Sequence, residues 1–308
     1  MVRSEKQPML VHFVVGTTAV GKSAWSLKWA EQTSGCIINA DSVQVYEKVD
    51  IGTAKPSKSE LDLVPHYLFD FVKPMNSYTA GDYREDTLRV LGDLNKHDYP
   101  GGIFITGGSG FYLKALENGM FPTDEVSADV KDQIKSWEAR SHSLHKELSS
   151  LDPEHAKKIS ENDGYRVRRS LGLVLTHKTT MLKIQQQFEQ QKTPFPYAIK
   201  KIGLSIHRDE LRKRVQSRVD KMLELGLIDE VKGHLDSGLR EWSPLKSVGY
   251  KEVVNYLDDL WDLKEMKERL VINTMQLAKR QRTWFQKDKS IQWYDVLKDK
   301  SELEEVCK

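Results

Sequence analysis

Residues 10–23 constrain the chain more than any other stretch. Leu10-Val11-His12-Phe13-Val14-Val15 is a short apolar, β-branched run ending at Gly16, which reads as a buried strand entering a turn. The turn is Gly16-Thr17-Thr18-Ala19-Val20-Gly21-Lys22-Ser23, a match to G-x-x-x-x-G-K-[ST]. Residues 22–33 then suit a helix, with Trp25, Leu27 and Ala30 at its apolar positions. Strand, glycine loop and helix in that order make a polyphosphate site. The glycines let backbone N–H groups converge on phosphate oxygens, and the helix N-terminus adds a favourable dipole. Lys22 supplies a mobile positive charge, and the Ser23 hydroxyl can ligate Mg2+. Such a loop is the usual mark of ATP binding, but its chemistry specifies polyphosphate and not the nucleoside.

The rest of the chain supplies the frame. Cys36-Ile37-Ile38 and Ile103-Phe104-Ile105-Thr106 read as further short strands, followed by polar or glycine residues. That grammar predicts a parallel α/β sheet, whose ligands sit beyond the carboxyl ends of its strands. After residue 120 the sequence turns polar, and helices are expected at 127–140, 142–150, 153–160, 163–177 and 180–190. Thr193-Pro194-Phe195-Pro196 breaks the helical pattern. Ile199 to Ile206 alternates like a returning strand, and helices fill most of 208–285. The expected architecture is a P-loop-containing α/β core, residues 1–120 and 195–308, with its parallel sheet flanked by helices. Residues 121–194 form a helical insertion domain.

Composition excludes several classes. Of 308 residues, 47 are Lys or Arg and 45 Asp or Glu, a net charge of +2. That rules out a globally basic nucleic-acid coat and an acidic tail protein, though not a local basic surface. Two cysteines, Cys36 and Cys307, cannot make a disulfide framework or a cysteine-rich metal site. The start of the chain shows no signal-peptide pattern, and no run approaches the ~20 apolar residues of a membrane helix. A cytoplasmic protein without membrane contact is expected. The nine histidines show no ligand spacing, and His66 reads as structural.

Several groups have two readings on residue pattern alone. Asp41 follows the second strand, in Asn39-Ala40-Asp41-Ser42, beside the phosphate loop. It is either a cap or an active-site carboxylate. Arg214 and Arg218 are four apart and share a helix face. They either grip phosphate, where a bidentate guanidinium is favoured, or form a solvated face with Asp209, Glu210 and Asp220. Arg166, Arg168 and Arg169 read on pattern alone as an ordinary amphipathic helix face. Lys279, Arg280, Arg282, Lys287 and Lys289 surround Trp284 and Phe285. The cations meet backbone phosphates or local acids, and the two aromatics are expected in the core.

Taken together, the motifs resemble the tRNA dimethylallyltransferase family. The matching stretches are Gly16 to Ser23, Ala40-Asp41-Ser42-Val43-Gln44-Val45-Tyr46, and Asp50-Ile51-Gly52-Thr53-Ala54-Lys55-Pro56. Val64-Pro65-His66, Gly107 to Leu113, Val248 to Glu252 and Ala278 to Phe285 follow in family order over nearly the whole chain. Thr17, Val43 and Ser109 stand where the family more often has Pro, Arg and Thr. The C-terminal zinc finger of many animal and fungal members has no counterpart, which suggests a bacterial-type or organellar member.

The resemblance implies transfer of a dimethylallyl group from dimethylallyl diphosphate to the exocyclic amine of the adenosine at tRNA position 37, beside the anticodon. Gly16, Thr17, Thr18, Ala19, Val20, Gly21, Lys22 and Ser23 would bind the diphosphate, with Mg2+ on Ser23. Catalysis would rest on Asp41 as base or orienting acceptor, on Lys22 and Ser23, and on Arg214 ahead of Arg218. The tRNA anticodon stem-loop would meet Asp41, Ser42, Val43, Gln44 and Ser109, then Tyr165, Arg166, Val167, Arg168 and Arg169 of the insertion, then Lys246, Ser247, Val248, Gly249, Tyr250 and Lys251. Tyr165 replaces a usual Gln. A monomer is expected. The competing readings are a prenyltransferase for free adenine nucleotides, a P-loop small-molecule kinase, and an RNA-binding module with a vestigial nucleotide site.

Overall fold

The computed structural model describes residues 9–97, 99–120, 126–140 and 142–306. One sheet organises the first compact unit, which comprises residues up to Glu117 and from Phe195 onward. Its strands are β1 (Leu10–Gly16), β2 (Cys36–Asn39), β3 (His66–Tyr67), β4 (Ile103–Thr106), β5 (Ala198–Ser205) and β6 (Gln292–Asp295). All pair in parallel, in the order β3-β2-β4-β1-β5-β6. β1 lies between β4 and β5, with Val14 opposite Thr106 and Gly16 opposite Leu204. β1, β2 and β4 are near-continuous buried runs, as strands covered on both faces must be. β3 and β6 escape the sequence reading because two residues, and the mixed run Gln-Trp-Tyr-Asp, carry no apolar pattern.

The helices before the insertion are α1 (Lys22–Gln32), α2 (Lys58–Leu61), α3 (Ala80–Lys96) and α4 (Gly110–Asn118). Phe104, Trp29, Val14, Leu204 and Tyr294 pack between α1 and the sheet. The Trp29 indole donates to Leu303 O at 2.8 Å, and Ser26 and Thr106 share a hydroxyl hydrogen bond of 2.7 Å, fixing α1 on β4.

The second compact unit spans Asn118–Pro194. It contains α5 (Ala128–Ala139), α6 (Leu144–Leu151), α7 (Pro153–Ala156), α8 (Gly164–His177) and α9 (Met181–Gln191). α7 is shorter than the helix expected at 153–160, because the chain turns through Asn162-Asp163 to start α8, which Asp163 caps. Leu148, Leu171, Ile134 and Val167 form the unit's own core. The buried Asp152 carboxylate joins two of its helices, accepting from His155 N at 3.2 Å and Met181 N at 2.7 Å.

The chain then returns to the first unit through β5 into α10 (Arg208–Glu224), α11 (Leu227–Asp236), α12 (Tyr250–Leu257), α13 (Leu263–Phe285) and α14 (Lys300–Glu305). Val215, Val219, Leu227, Trp242, Tyr250 and Leu270 form a second core where α10–α13 meet. No helix among the described residues is long and apolar enough to cross a membrane.

Asp152→Ala leaves one buried and one half-buried N–H group without an acceptor and should cost about 1–3 kcal/mol. Urea unfolding followed by circular dichroism measures that loss.

Candidate active site

The phosphate loop leaves β1 in a conformation that selects its glycines. Gly16 and Gly21 have φ of 146° and 110°, where a side chain is strained. A Cβ on Gly16 would also stand 2.5 Å from Leu204 O. Three side chains brace the loop. Gln281 accepts from Thr18 N at 2.7 Å and donates to Gly108 O at 3.2 Å, so one carboxamide joins the loop to the glycine turn after β4. Arg214 donates to Val20 O at 2.8 Å. The Lys22 ammonium donates to Thr17 O at 2.9 Å and Gly16 O at 3.2 Å. Burial pulls the Lys22 ammonium down to about 8; Asp41 opposes that fall and Arg218 adds to it.

Asp41 sits at the carboxyl end of β2. Asn39 anchors it, accepting from Asp41 N at 2.8 Å and donating to Asp41 O at 3.1 Å and Leu68 O at 3.0 Å. Asp41 Oδ1 accepts from Val43 N at 2.9 Å and Gln44 N at 3.4 Å. The residue is therefore a turn cap and also a wall of the main cavity. Ser109 holds the neighbouring Ser42, accepting from its N–H at 2.9 Å and donating to its hydroxyl at 3.1 Å.

That cavity, of ≈550 Å³, opens beyond the strand ends. Thr18, Asp41, Ser42 and Arg218 give it a polar side, and Val215, Val219, Met222, Leu270 and Leu277 an apolar one. The Arg218 guanidinium donates to Thr53 O at 3.2 Å. Burial holds it below its ordinary pKa, and Asp41 resists the shift. Arg214 does not line this cavity, since its guanidinium is turned to the loop carbonyl of Val20. Of the two, Arg218 is the arginine that faces Asp41 and Lys22.

The other expected site residues divide. Val43, Lys246, Ser247, Val248 and Gly249 line the cavity. Ser23 and Gln44 border a smaller space of ≈60 Å³, and the Gln44 amide donates to Thr53 O at 3.0 Å and Ala54 O at 3.2 Å. Tyr250 is fully buried, with its hydroxyl on Glu230 Oε1 at 2.5 Å. Its side chain holds the protein together and cannot face an RNA, whereas Lys251 is exposed. In the second unit Val167 is a core residue and Tyr165 is 69% exposed. Arg166 pairs with Asp163 and Arg168 with Glu138.

One of the two aromatics departs from expectation. Phe285 is buried, but Trp284 is 41% exposed and lines the cavity, as do Arg280 and the 54% exposed Phe111. The helical period accounts for it. Trp284 shares a face with Leu277 and Gln281, while Phe285 shares the opposite one with Val271 and Ala278. Gly110 makes room for the indole, since a Cβ there would stand 2.1 Å from its Nε1. The i, i+4, i+7 spacing of Leu277, Gln281 and Trp284 was the available signal for this wall. Thr53 and Gln281 lie in family-matching stretches, but neither was expected in the site.

Among the described residues no group of three or more His, Cys, Asp or Glu side chains converges on a metal position. Mg2+ commonly takes one or two protein ligands and completes its shell with substrate phosphates and water, a mode that Ser23 at the start of α1 fits.

Comparison with known proteins agrees with this geometry. The family model for IPP transferase matches residues 44–288. The chain belongs to the IPP transferase family. It is 48% identical over 288 residues to the tRNA dimethylallyltransferase of Bdellovibrio bacteriovorus, covering 92% of each chain. It is 36% identical to that of Geobacter metallireducens, covering 96% of this chain and 94% of the relative. Among solved structures, the full-length tRNA isopentenylpyrophosphate transferase of Bacillus halodurans superposes with a TM-score of 0.71 at 32% identity, covering 98% of this chain and 95% of that one. A eukaryotic dimethylallyltransferase acting on tRNA superposes with a TM-score of 0.78 at 26% identity, covering 93% and 74%. The fold described here is thus shared with these solved structures.

The Lys22 ammonium is lost as pH rises through about 8, so anion affinity should fall above that pH in the free protein. Calorimetric titration with inorganic pyrophosphate at pH 7 to 9.5 tests this. Lys22→Arg, which stays charged across that range, should remove the fall and leave only the ligand's own titration.

Proposed function

We propose that the cavity transfers a dimethylallyl group from dimethylallyl diphosphate to the exocyclic amine of adenosine at position 37 of a tRNA. The observation that carries the reading is a cavity lined by Arg218, Asp41 and Thr18 of the phosphate loop that holds Lys22, with an apolar side of Val215, Val219, Met222, Leu270 and Leu277. A diphosphate answers the two buried cations and the loop amides. The five-carbon apolar group suits Val215, Val219, Met222, Leu270 and Leu277. Asp41 then stands where an amine would meet the allylic carbon.

In the reaction the amine nitrogen attacks the allylic carbon, the carbon–oxygen bond to the diphosphate breaks, and pyrophosphate leaves with the bonding pair. Charge grows on the leaving group, and preorganised donors aimed at it lower the barrier. Lys22, Arg218 and the loop amides are those donors. Mg2+, held through the Ser23 hydroxyl, would supply further neutralisation of the diphosphate. The exocyclic amine is a weak nucleophile because its lone pair conjugates with the ring. Asp41 accepts its proton as the new bond forms. Oδ1 is engaged by the turn, which holds the carboxylate still and leaves Oδ2 for the amine.

The reacting base must leave its stack to reach such a site. Ser42, Val43, Ser109 and the Lys246–Gly249 segment line the cavity with Asp41 and would read the flipped nucleotide. Phe111 and Trp284 offer ring faces on which unstacked loop bases pack. On the helical unit, exposed Tyr165 with Arg166 and Arg169 would meet the anticodon arm.

Incubating the protein with unmodified tRNA, dimethylallyl diphosphate and Mg2+, then digesting to nucleosides, should yield prenylated adenosine. No product, or faster turnover with AMP than with tRNA, would refute the assignment. Asp41→Ala should lower turnover by ~10²–10⁴ while tRNA is still bound. Arg218→Ala should raise the KM for the diphosphate more than Arg214→Ala does.

A further inference from the structure

The segment Val49–Lys55 touches both halves of the site, and a single carboxylate sets its path. Glu230, half-buried in the first turn of α11, does not serve its own helix. Its Oε2 accepts from Asp50 N at 3.0 Å and Ile51 N at 2.8 Å, and its Oε1 from Gly52 N at 3.3 Å. Oε1 also takes the Tyr250 hydroxyl at 2.5 Å. The tyrosine is fixed as that donor, because burial and the facing Glu230 hold its pKa far above the ordinary range. Its ring closes on Gly52, where a Cβ would meet ring carbons at 2.5 Å. One residue further, Thr53 O receives Arg218 at 3.2 Å and Gln44 at 3.0 Å.

We propose that Glu230 is a positioning residue for the diphosphate, acting through the Asp50–Thr53 backbone on Arg218. The proposal rests on the reading that Arg218 grips the diphosphate. A half-buried guanidinium has few partners to settle on, and Thr53 O is the backbone acceptor that aims this one. Four donors converging on one carboxylate hold that carbonyl in place. The carboxylate suits the task because it is acceptor-only. A glutamine in its place turns one acceptor into a donor that faces N–H groups.

The test is calorimetric titration of the full chain with inorganic pyrophosphate and Mg2+, in wild type, Glu230→Gln, Tyr250→Phe, Arg218→Ala and the two doubles with Arg218→Ala. Glu230→Gln should weaken pyrophosphate binding roughly tenfold and Tyr250→Phe roughly threefold, with tRNA affinity held within about twofold. In the Arg218→Ala background both effects should vanish, since residues acting in one network are non-additive. Full effects in that background, an unchanged affinity in Glu230→Gln, or an equal loss of tRNA affinity would each overturn the relay. If Glu230→Gln does not fold, Tyr250→Phe decides by the same criterion. If Arg218→Ala alone leaves pyrophosphate binding intact, the diphosphate reading of Arg218 falls and the relay falls with it.

Discussion

The close approach of Gly16 to Leu204 O is the contact on which the site depends. β1 pairs with β5 on one side and β4 on the other, so its last residue emerges between two backbones. Only a residue without Cβ leaves there at φ 146°. That exit points the loop amides away from the sheet and sets the glycine turn after β4 beside them. Gln281 can then reach both with one carboxamide. The ends of β2 and β4 are joined as well, since Ala40 N donates to Thr106 O and Ser109 N to Ala40 O. Asp41 and Ser109 inherit their places from the same sheet geometry.

The electrostatics of the site follow from burial. Lys22 and Arg218 are cations withdrawn from water, and each is held below its ordinary pKa with Asp41 as the opposing charge. Buried charges are tolerated when paired and hydrogen-bonded. Here Asp41 supplies an opposing charge, and the hydrogen bonds are to backbone carbonyls of Gly16, Thr17 and Thr53. An anionic ligand would restore the balance more fully than one carboxylate does. The folded core therefore carries a positively charged site, as the proposed diphosphate requires. The net charge of +2 is consistent with this, because what counts is where the cations stand and not the sum over the surface.

The phosphate loop, the parallel sheet and the change to helices after residue 120 were legible because each has a local pattern with a local cause. Glycines answer backbone geometry, β-branched runs answer burial on two faces, and polar 3.6-residue periodicity answers a helix with one covered side. The choice between Arg214 and Arg218 was not legible. They share a helix face, and what separates them is a loop carbonyl at Val20 and another at Thr53, far away in sequence. The same holds for Tyr250 and Val167, which stand inside stretches expected to face RNA but point into cores. Trp284 and Phe285 are adjacent, and only the packing of α13 sends one to the cavity and the other inward.

The sequence by itself determined the chemistry on offer: eight residues able to wrap a polyphosphate, a carboxylate one strand away, and arginines at helical spacing. These are short-range facts, set by the order of residues and the allowed backbone angles. Tertiary structure alone decided which groups meet. It made Asp41 a turn cap and a cavity wall at once, gave Arg218 the cavity and Arg214 the loop, and used Gln281 and Glu230 to hold backbones that no motif connects to them. Those partnerships span up to 263 residues of chain, and a contact across such a separation exists only once the sheet has brought its strand ends together.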